Sequence, residues 1–272
     1  MHTGKPRVNE RLRELADARE RIAHHAEDLE SLVAERTAEL EESVRSLEGV
    51  LYHLAHDLRA PLRAMEGFTQ LLLEHEYSCF DATGRDYAWR IVSAASLMDH
   101  WINDVLAYGR LIQMEVPCAK LDLEAQLGRV LAQMSGEIRI RKARIRVVKP
   151  MPRVWANAAV LDQILGNLLA NALKFVGPGI PPQVRICARE SGDGKLRLCV
   201  RDKGIGIEEA HQQRIFGMFE RLHGTAAYPG TGIGLAIVRK GAERMGGTVG
   251  VKSRPGHGSL FWVELPAAPM TV

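Results

Sequence analysis

Ala26, Val33, Leu40, Leu47 and Leu54 recur every seven residues, and Val44, Leu51 and Leu58 form a second seven-residue series between them. Two apolar positions repeated over several heptads make a narrow stripe that another helix covers best. Glu, Arg and Lys dominate the other faces, so residues 9 to about 75 read as one long helix with a coiled-coil seam. Leu15, Ile22 and Leu29 run one residue out of step with the second series, which places a local break in register near Arg36-Thr37.

The helix then meets the run LAHDLRAPL at residues 54–62. A proline inside a helix removes a hydrogen bond and clashes with the preceding turn, at about 3 kcal/mol, so a bend is expected at Pro61. Leu62, Met65, Phe68, Leu72 and Leu73 continue the helix, and a turn is expected from about His75 to Gly84. A second helix follows from Asp86 to about Met114, with Tyr87, Ile91, Ala94, Met98, Ile102 and Val105 at helical spacing. A two-helix hairpin buries little by itself. A second copy completing a four-helix bundle is the expected solution, with packing on the chain's own second domain as the other arrangement.

From Lys120 the pattern changes. β-like runs occupy Ile138–Val148, Val184–Glu190, Lys195–Arg201 and Ser259–Leu265, with helical segments at about 123–135, 157–175 and 233–245. Ser191-Gly192-Asp193-Gly194 reads as a hairpin turn between two of the strands. The expected fold class is therefore α then α+β: a coiled coil and helical hairpin, followed by a sandwich of one sheet against helices. The boundaries follow as 1–50 for the coiled-coil linker, 51–117 for the hairpin, 118–268 for the sandwich and 269–272 for a tail.

At 272 residues, with 46% apolar and 25% charged, the chain has the composition of a folded protein. A net charge of +3 argues against a nucleic-acid footprint and against a strongly basic membrane surface. Cys79, Cys118, Cys187 and Cys199 have neither CxxC pairing nor metal-like spacing, so reduced thiols are expected. The N-terminal stretch lacks the apolar core of a signal peptide, and no run approaches the roughly 18 apolar residues of a membrane span. A cytoplasmic chain is the expectation.

Five groups of residues carry possible chemistry. His56 falls at an outward heptad position beside Asp57, which can accept an imidazole proton and leave a nucleophilic ring nitrogen; a plain surface histidine is the alternative. Asn167 and Asn171 stack one turn apart with Lys174 nearby, suited to Mg²⁺ and phosphates or simply to a polar helix surface. Asp202-Lys203-Gly204-Ile205-Gly206 ends a strand, where an aspartate can accept from an exocyclic amine and glycines admit close approach; a tight turn would use the same residues. Gly230-Thr231-Gly232-Ile233-Gly234-Leu235 precedes a helix, as a phosphate site does. Its GxGxG spacing and preceding Pro229 argue against a dinucleotide-binding unit. Phe216 and Phe219 could anchor a mobile loop, or belong to the core, and Arg221 could reach a phosphate.

Taken in order, HDLRAPL, NLLANALKF, DKGIGI, IFGMFERLH and GTGIGLAIV resemble the H, N, G1, F and G2 boxes of bacterial two-component sensor histidine kinases. The resemblance covers about residues 50–266. It implies a homodimeric, autophosphorylating kinase with an ATP-binding domain, ATP and Mg²⁺ as cofactors, and a response-regulator receiver domain as partner. His56 would be the phosphoacceptor and Asp57 its acid–base partner. Asn171 would hold Mg²⁺, with Asn167 and Lys174 near the phosphates; Asp202 would read adenine beside Gly204 and Gly206. Gly230, Thr231, Gly232, Gly234 and Leu235 would form the phosphate-facing lid hinge, Phe219 would belong to the lid, and Arg221 would stabilise the γ-phosphate.

The resemblance stops at Ala60, where many relatives carry the Thr or Asn linked to phosphatase action. ERTAELEES also resembles linkers downstream of PAS or phytochrome sensors, so a sensory domain or partner protein is expected to feed the N-terminal helix. A dimeric, ATP-binding scaffold with a silent histidine is the alternative reading, and phosphate on His56 separates the two. A conformational ATPase of the same nucleotide fold is a third, which the HDLRAPL hairpin opposes.

Overall fold

The computed structural model describes residues 29–37, 57–74, 81–113, 115–222 and 230–268, with the single positions 19, 25, 39, 44, 49, 55 and 228. The chain divides into two compact units, Met1–His53 and Leu54–Val272. In the first, 29–37 is continuously helical, and the Thr37 hydroxyl donates to the Val33 carbonyl at 2.6 Å. The expected change of register at Arg36-Thr37 therefore leaves the helix intact up to Thr37. Leu29, Val33 and Val44 are exposed, as an uncovered seam would be. Leu15, Ile22, Ala26, Leu40, Leu47, Leu51, Leu54, the reactive-site candidate His56, residues 75–80 of the expected turn and the tail lie outside the described residues.

The second unit begins with a helix at 55 and 57–74 (α1), whose assignment runs through Pro61, and a long helix α2 (Ala82–Gln113). Ala55, Leu62 and Thr69 on α1 and Ala88, Ala95 and Ile102 on α2 are buried, each set at heptad spacing. Arg59 donates to Asn103 Oδ1 at 2.6 Å, tying an early turn of α1 to a late turn of α2. Of the expected α2 stripe, Ile102 is buried and Val105 packs against the core, while Tyr87, Ile91 and Met98 are exposed on the single chain; Ala88 and Ala95 complete the buried face. Small side chains let two helices approach closely, so the larger apolar residues remain for a second surface. α2 also starts four residues before the expected Asp86.

After β1 (Ala119–Asp122) come α3 (Leu123–Gln133), α4 (Ser135–Ile140), β2 (Arg144–Val148), β3 (Arg153–Ala156) and α5 (Ala158–Lys174). β4 (Gln183–Gly192), β5 (Lys195–Asp202), α6 (Gly234–Arg244), β6 (Thr248–Ser253) and β7 (Ser259–Pro266) complete the sandwich. Five strands make a mixed sheet in the order β2-β4-β5-β7-β6, with only the β2–β4 pair parallel, while β1 and β3 pair separately. The expected β4–β5 hairpin is present. Gly192, Asp193 and Gly194 all take positive φ there, which favours glycine at the two flanking positions.

The strand expected over Ile138–Val148 is only half right. Residues 135–140 form α4, and the strand starts at Arg144. A strand would have set Ile138 and Ile140 on one face. The helix instead turns Ile138 to the core, leaves Ile140 80% exposed, and joins Glu137 to Arg141 one turn on at 2.9 Å. The short strands β1, β3 and β6 carried too little alternation to be read from the sequence.

α5 lies at the centre of the core. Leu161, Ile164, Leu165, Leu168, Leu169 and Leu173 are fully buried against the sheet, α3 and α6. Asn157 caps its start by accepting from the Ala159 and Val160 amides, and its amide group donates to the Pro117 carbonyl at 2.9 Å. The helix is thus pinned to the chain leaving α2. Among the described residues, no helix is long and apolar enough to cross a membrane.

The sheet's other face is open, and period-two alternation sorts charge onto it. Arg146, Arg185 and Arg201 are directly opposed across three adjacent strands, and Arg197 stacks over Trp262 at 4.6 Å. Like charges directly opposite are destabilising. Arg185→Thr is expected to raise stability by roughly 0.2–1 kcal/mol at low ionic strength. Urea titrations at low and high salt check this; the gain should vanish once salt screens the row.

Candidate functional site

α5 is apolar on most of its circumference, so its few polar residues mark where it leaves the core. Asn167, Ala170, Asn171 and Lys174 recur at i, i+3, i+4 and i+7 and line one wall of a cavity of about 470 Å³. Asp202, Ile205, Gly206 and Ser259 form another part, at the ends of β5 and β7. Gly230, Thr231, Gly232, Gly234 and Leu235 close a third side at the start of α6. Ser96, Leu97, His100 and Asp104 of α2 face them across the opening.

Asp202 is buried, and its Oδ1 accepts from the Gly204 amide at 2.8 Å and the Ser259 amide at 3.1 Å. Two fixed donors orient the carboxylate. Burial nevertheless raises its pKa above the ordinary carboxylate value, against the pull of those hydrogen bonds. Two positions of the turn after it have no room for a side chain: a Cβ at Gly204 would lie 2.1 Å from the Phe175 carbonyl, and one at Gly206 2.1 Å from that of Arg254. Gly206 also has φ of +75°. Gly204 shapes the wall from behind and does not line the cavity.

The third side gathers hydrogen-bond donors. α6 begins without a side-chain cap, so its first amides await acceptors; the Thr231 hydroxyl takes one, from Ile233 at 3.2 Å. A Cβ at Gly234 would sit 2.6 Å from Asn167 Oδ1, and one at Gly230 2.8 Å from Lys174 Nζ. The glycines therefore bring the α6 amides, the α5 carboxamide and an ammonium group together. Lys174 is held below the usual lysine range by burial first and then by the neighbouring Arg221 and Arg141. Two cations at one cavity edge with an uncapped helix suit an anionic group.

Arg221 lines the cavity and donates to the Tyr228 carbonyl at 3.2 Å. Phe216 is buried in the core, edge-on to Phe261 at 6.4 Å. Phe219 is 52% exposed with φ of +61°, and it does not line the cavity. Asp57 is exposed on α1 and does not line the cavity, and Ala60 is exposed one turn on.

Sequence reasoning missed Tyr228, whose hydroxyl donates to the Val176 carbonyl at 3.0 Å and whose ring meets Phe175 at 5.2 Å. It also missed His100 and Asp104. Nothing in their local sequence separates them from the other polar residues of α2. Among the described residues, no group of three or more His, Cys, Asp or Glu could hold a metal ion.

The raised pKa of Asp202 has a sign. The fold disfavours its charged form, so stability falls as pH rises from the unfolded carboxyl value through the folded one. Asp202→Asn, which keeps an acceptor for both amides, is expected to raise the melting temperature at neutral pH. Thermal scans should show that difference closing as the pH drops into the carboxylate range.

Residues 156–269 match the family model described as "Histidine kinase-, DNA gyrase B-, and HSP90-like ATPase", and residues 46–113 match "His Kinase A (phospho-acceptor) domain". The chain is 34% identical to Phytochrome-like protein Cph1 of Synechocystis sp., covering 90% of this chain and 32% of that one. It is likewise 34% identical to Sensor histidine kinase AruS of Pseudomonas aeruginosa, over 93% of this chain and 26% of that one. Cyanobacterial phytochrome B of Nostoc sp. is 32% identical, over 86% of this chain and 31% of its own. The chain thus spans a third or less of these relatives. The crystal structure of full-length ShkA with AMPPNP superposes with a TM-score of 0.66 at 32% identity, covering 82% of this chain and 47% of that one.

Proposed function

The chain belongs to the histidine kinases of two-component signalling, and from that premise we propose that it moves the γ-phosphoryl group of ATP to His56 and then to an aspartate of a response-regulator receiver domain. The observation that carries this is convergence: three stretches far apart in sequence build one cavity, with a fixed carboxylate at one end and an anion site at the other. Adenine takes the Asp202 end, beside the wall that Gly204 and Gly206 shape. The phosphates take the end formed by Asn167, Lys174, Thr231 and Gly230, Gly232 and Gly234, with Leu235 on the first turn of α6. Arg221 stabilises charge on the γ-phosphate, and Phe219 belongs to the lid that moves with it.

Mg²⁺ fits this donor set. The cavity offers the Asn171 carboxamide without a protein carboxylate cluster, as suits an ion that keeps waters and shares phosphate oxygens. When bound, it neutralises phosphate charge. The chain's own residues do the rest: Asp57 accepts the imidazole proton of His56, the ring nitrogen bonds to the γ-phosphorus, and the bond to ADP breaks as ADP leaves. The matched phospho-acceptor segment includes His56.

A second copy covers the exposed Leu58, Met65, Phe68 and Leu72 of α1 and Tyr87, Ile91 and Met98 of α2, giving a homodimeric bundle. The heptads of residues 1–50 then form the signalling coiled coil, fed by a sensory domain or partner protein. We place the kinase in the cytoplasm, where ATP and receiver domains meet.

The test is incubation with Mg²⁺ and γ-labelled ATP beside a His56→Gln variant. Acid-labile, base-stable label on the parent and none on the variant is the expected result. Label that survives in the variant refutes the assignment, and a folded dimer that binds ATP without labelling favours the scaffold reading.

A further inference from the structure

We propose that Asp104 is an internal anion that fills the phosphate end of the cavity, so that nucleotide phosphates enter only when α2 releases it. The inference rests on the nucleotide reading above and goes beyond it by assigning a competitor within the chain.

Asp104 lies on α2, 127 positions before Thr231 in sequence, yet its Oδ2 accepts the Thr231 hydroxyl proton at 2.6 Å. Thr231 stands between two glycines at the mouth of α6. Its oxygen in turn accepts from the Ile233 amide at 3.2 Å, so the carboxylate reaches the uncapped helix start through one hydroxyl. Burial raises the Asp104 pKa above the ordinary carboxylate value, opposed by the Thr231 hydrogen bond and then by His100 and Lys174, which line the same cavity. Hydroxyl, ammonium and helix start are the donors a phosphate would use. The Asp104 carboxylate already occupies the first of them, the Thr231 hydroxyl, and lies in the same cavity as the ammonium group.

The geometry also explains how α2 is held against the sandwich. α2 packs on α6, and the Asp104–Thr231 bond sits at that contact. A triphosphate arriving at Lys174 and the α6 amides meets a negative charge already there. The two anions repel in a half-buried site where water screens them poorly. Phosphate binding and the α2 contact therefore oppose one another, and by linkage each weakens the other by the same factor.

Adenosine lacks phosphates, so it separates this effect from the adenine end of the cavity. Binding of adenosine, ADP and AMPPNP with Mg²⁺ would be measured by calorimetry on the full chain and on Asp104→Asn. The variant keeps an acceptor for Thr231 but carries no charge. ADP and AMPPNP are expected to bind about 5-fold tighter or more to Asp104→Asn, within the usual range for coupled sites, with adenosine unchanged.

Phosphate ligands that bind Asp104→Asn no more tightly than the parent overturn the proposal, as does an equal change for adenosine. Failure of the parent to bind any of the three overturns the nucleotide reading itself. A second readout needs no affinity: spin labels on α2 and α6 should move apart when AMPPNP binds the parent, and start further apart in Asp104→Ala. An α2–α6 distance that AMPPNP leaves unchanged in the parent also overturns it.

Discussion

Everything at the site depends on α5 being buried. A helix walled by leucine and isoleucine against a sheet and two other helices cannot rotate without exposing several large side chains, each worth about 1.5–3 kcal/mol. Its remaining stripe, Asn167, Ala170, Asn171 and Lys174, is therefore aimed chiefly by apolar packing, with the Asn167 amide also donating to the Gln163 carbonyl one turn back at 2.9 Å. The polar chemistry inherits its precision from the core. Asn157 extends that control to the hairpin, because the same side chain caps α5 and holds the carbonyl of Pro117.

The cavity then divides by electrostatics. At the β5 end a single carboxylate is held by two amides in surroundings that disfavour its charge, a polar acceptor set in an apolar wall. At the α6 end the charge is reversed: an uncapped helix start, a lysine with lowered pKa and an arginine gather within one rim. A ligand with a hydrogen-bonding ring at one end and phosphates at the other satisfies both ends at once. A ligand with only one of these features leaves the other end uncompensated. Asp104 meets the second need from within the chain, which links occupancy of the cavity to the position of α2.

Charge on the outer sheet face shows why bulk composition misleads. A net charge of +3 over 272 residues describes a nearly balanced chain. Strand alternation nevertheless collects Arg146, Arg185 and Arg201 into one row, because every second residue of β2, β4 and β5 points the same way. The ion pair of Arg197 with Glu264 at 2.7 Å offsets part of this concentration, and the row beside it lacks an acidic residue in register.

Much was legible in the residues alone. Heptads declared the helices, alternation and Gly-Asp-Gly declared the β4–β5 hairpin, and the Asn167–Lys174 spacing declared a polar stripe on an apolar helix. These are short-range properties, set by how a few neighbouring residues share a helix turn or a strand pleat. The failures were of another kind. Ile138–Ile140 alternates like a strand and folds as a helix, because only the core decides which isoleucine it will take. The larger apolar residues of α2 divide: Ile102 is buried with Ala88 and Ala95, while Tyr87, Ile91 and Met98 stay exposed on the single chain. Asp104, His100 and Tyr228 had no local mark at all. The sequence determined most of the elements and marked most of the candidate side chains. The tertiary structure decided which of them meet, since bringing Asp104 to Thr231 depends on packing that no local pattern records.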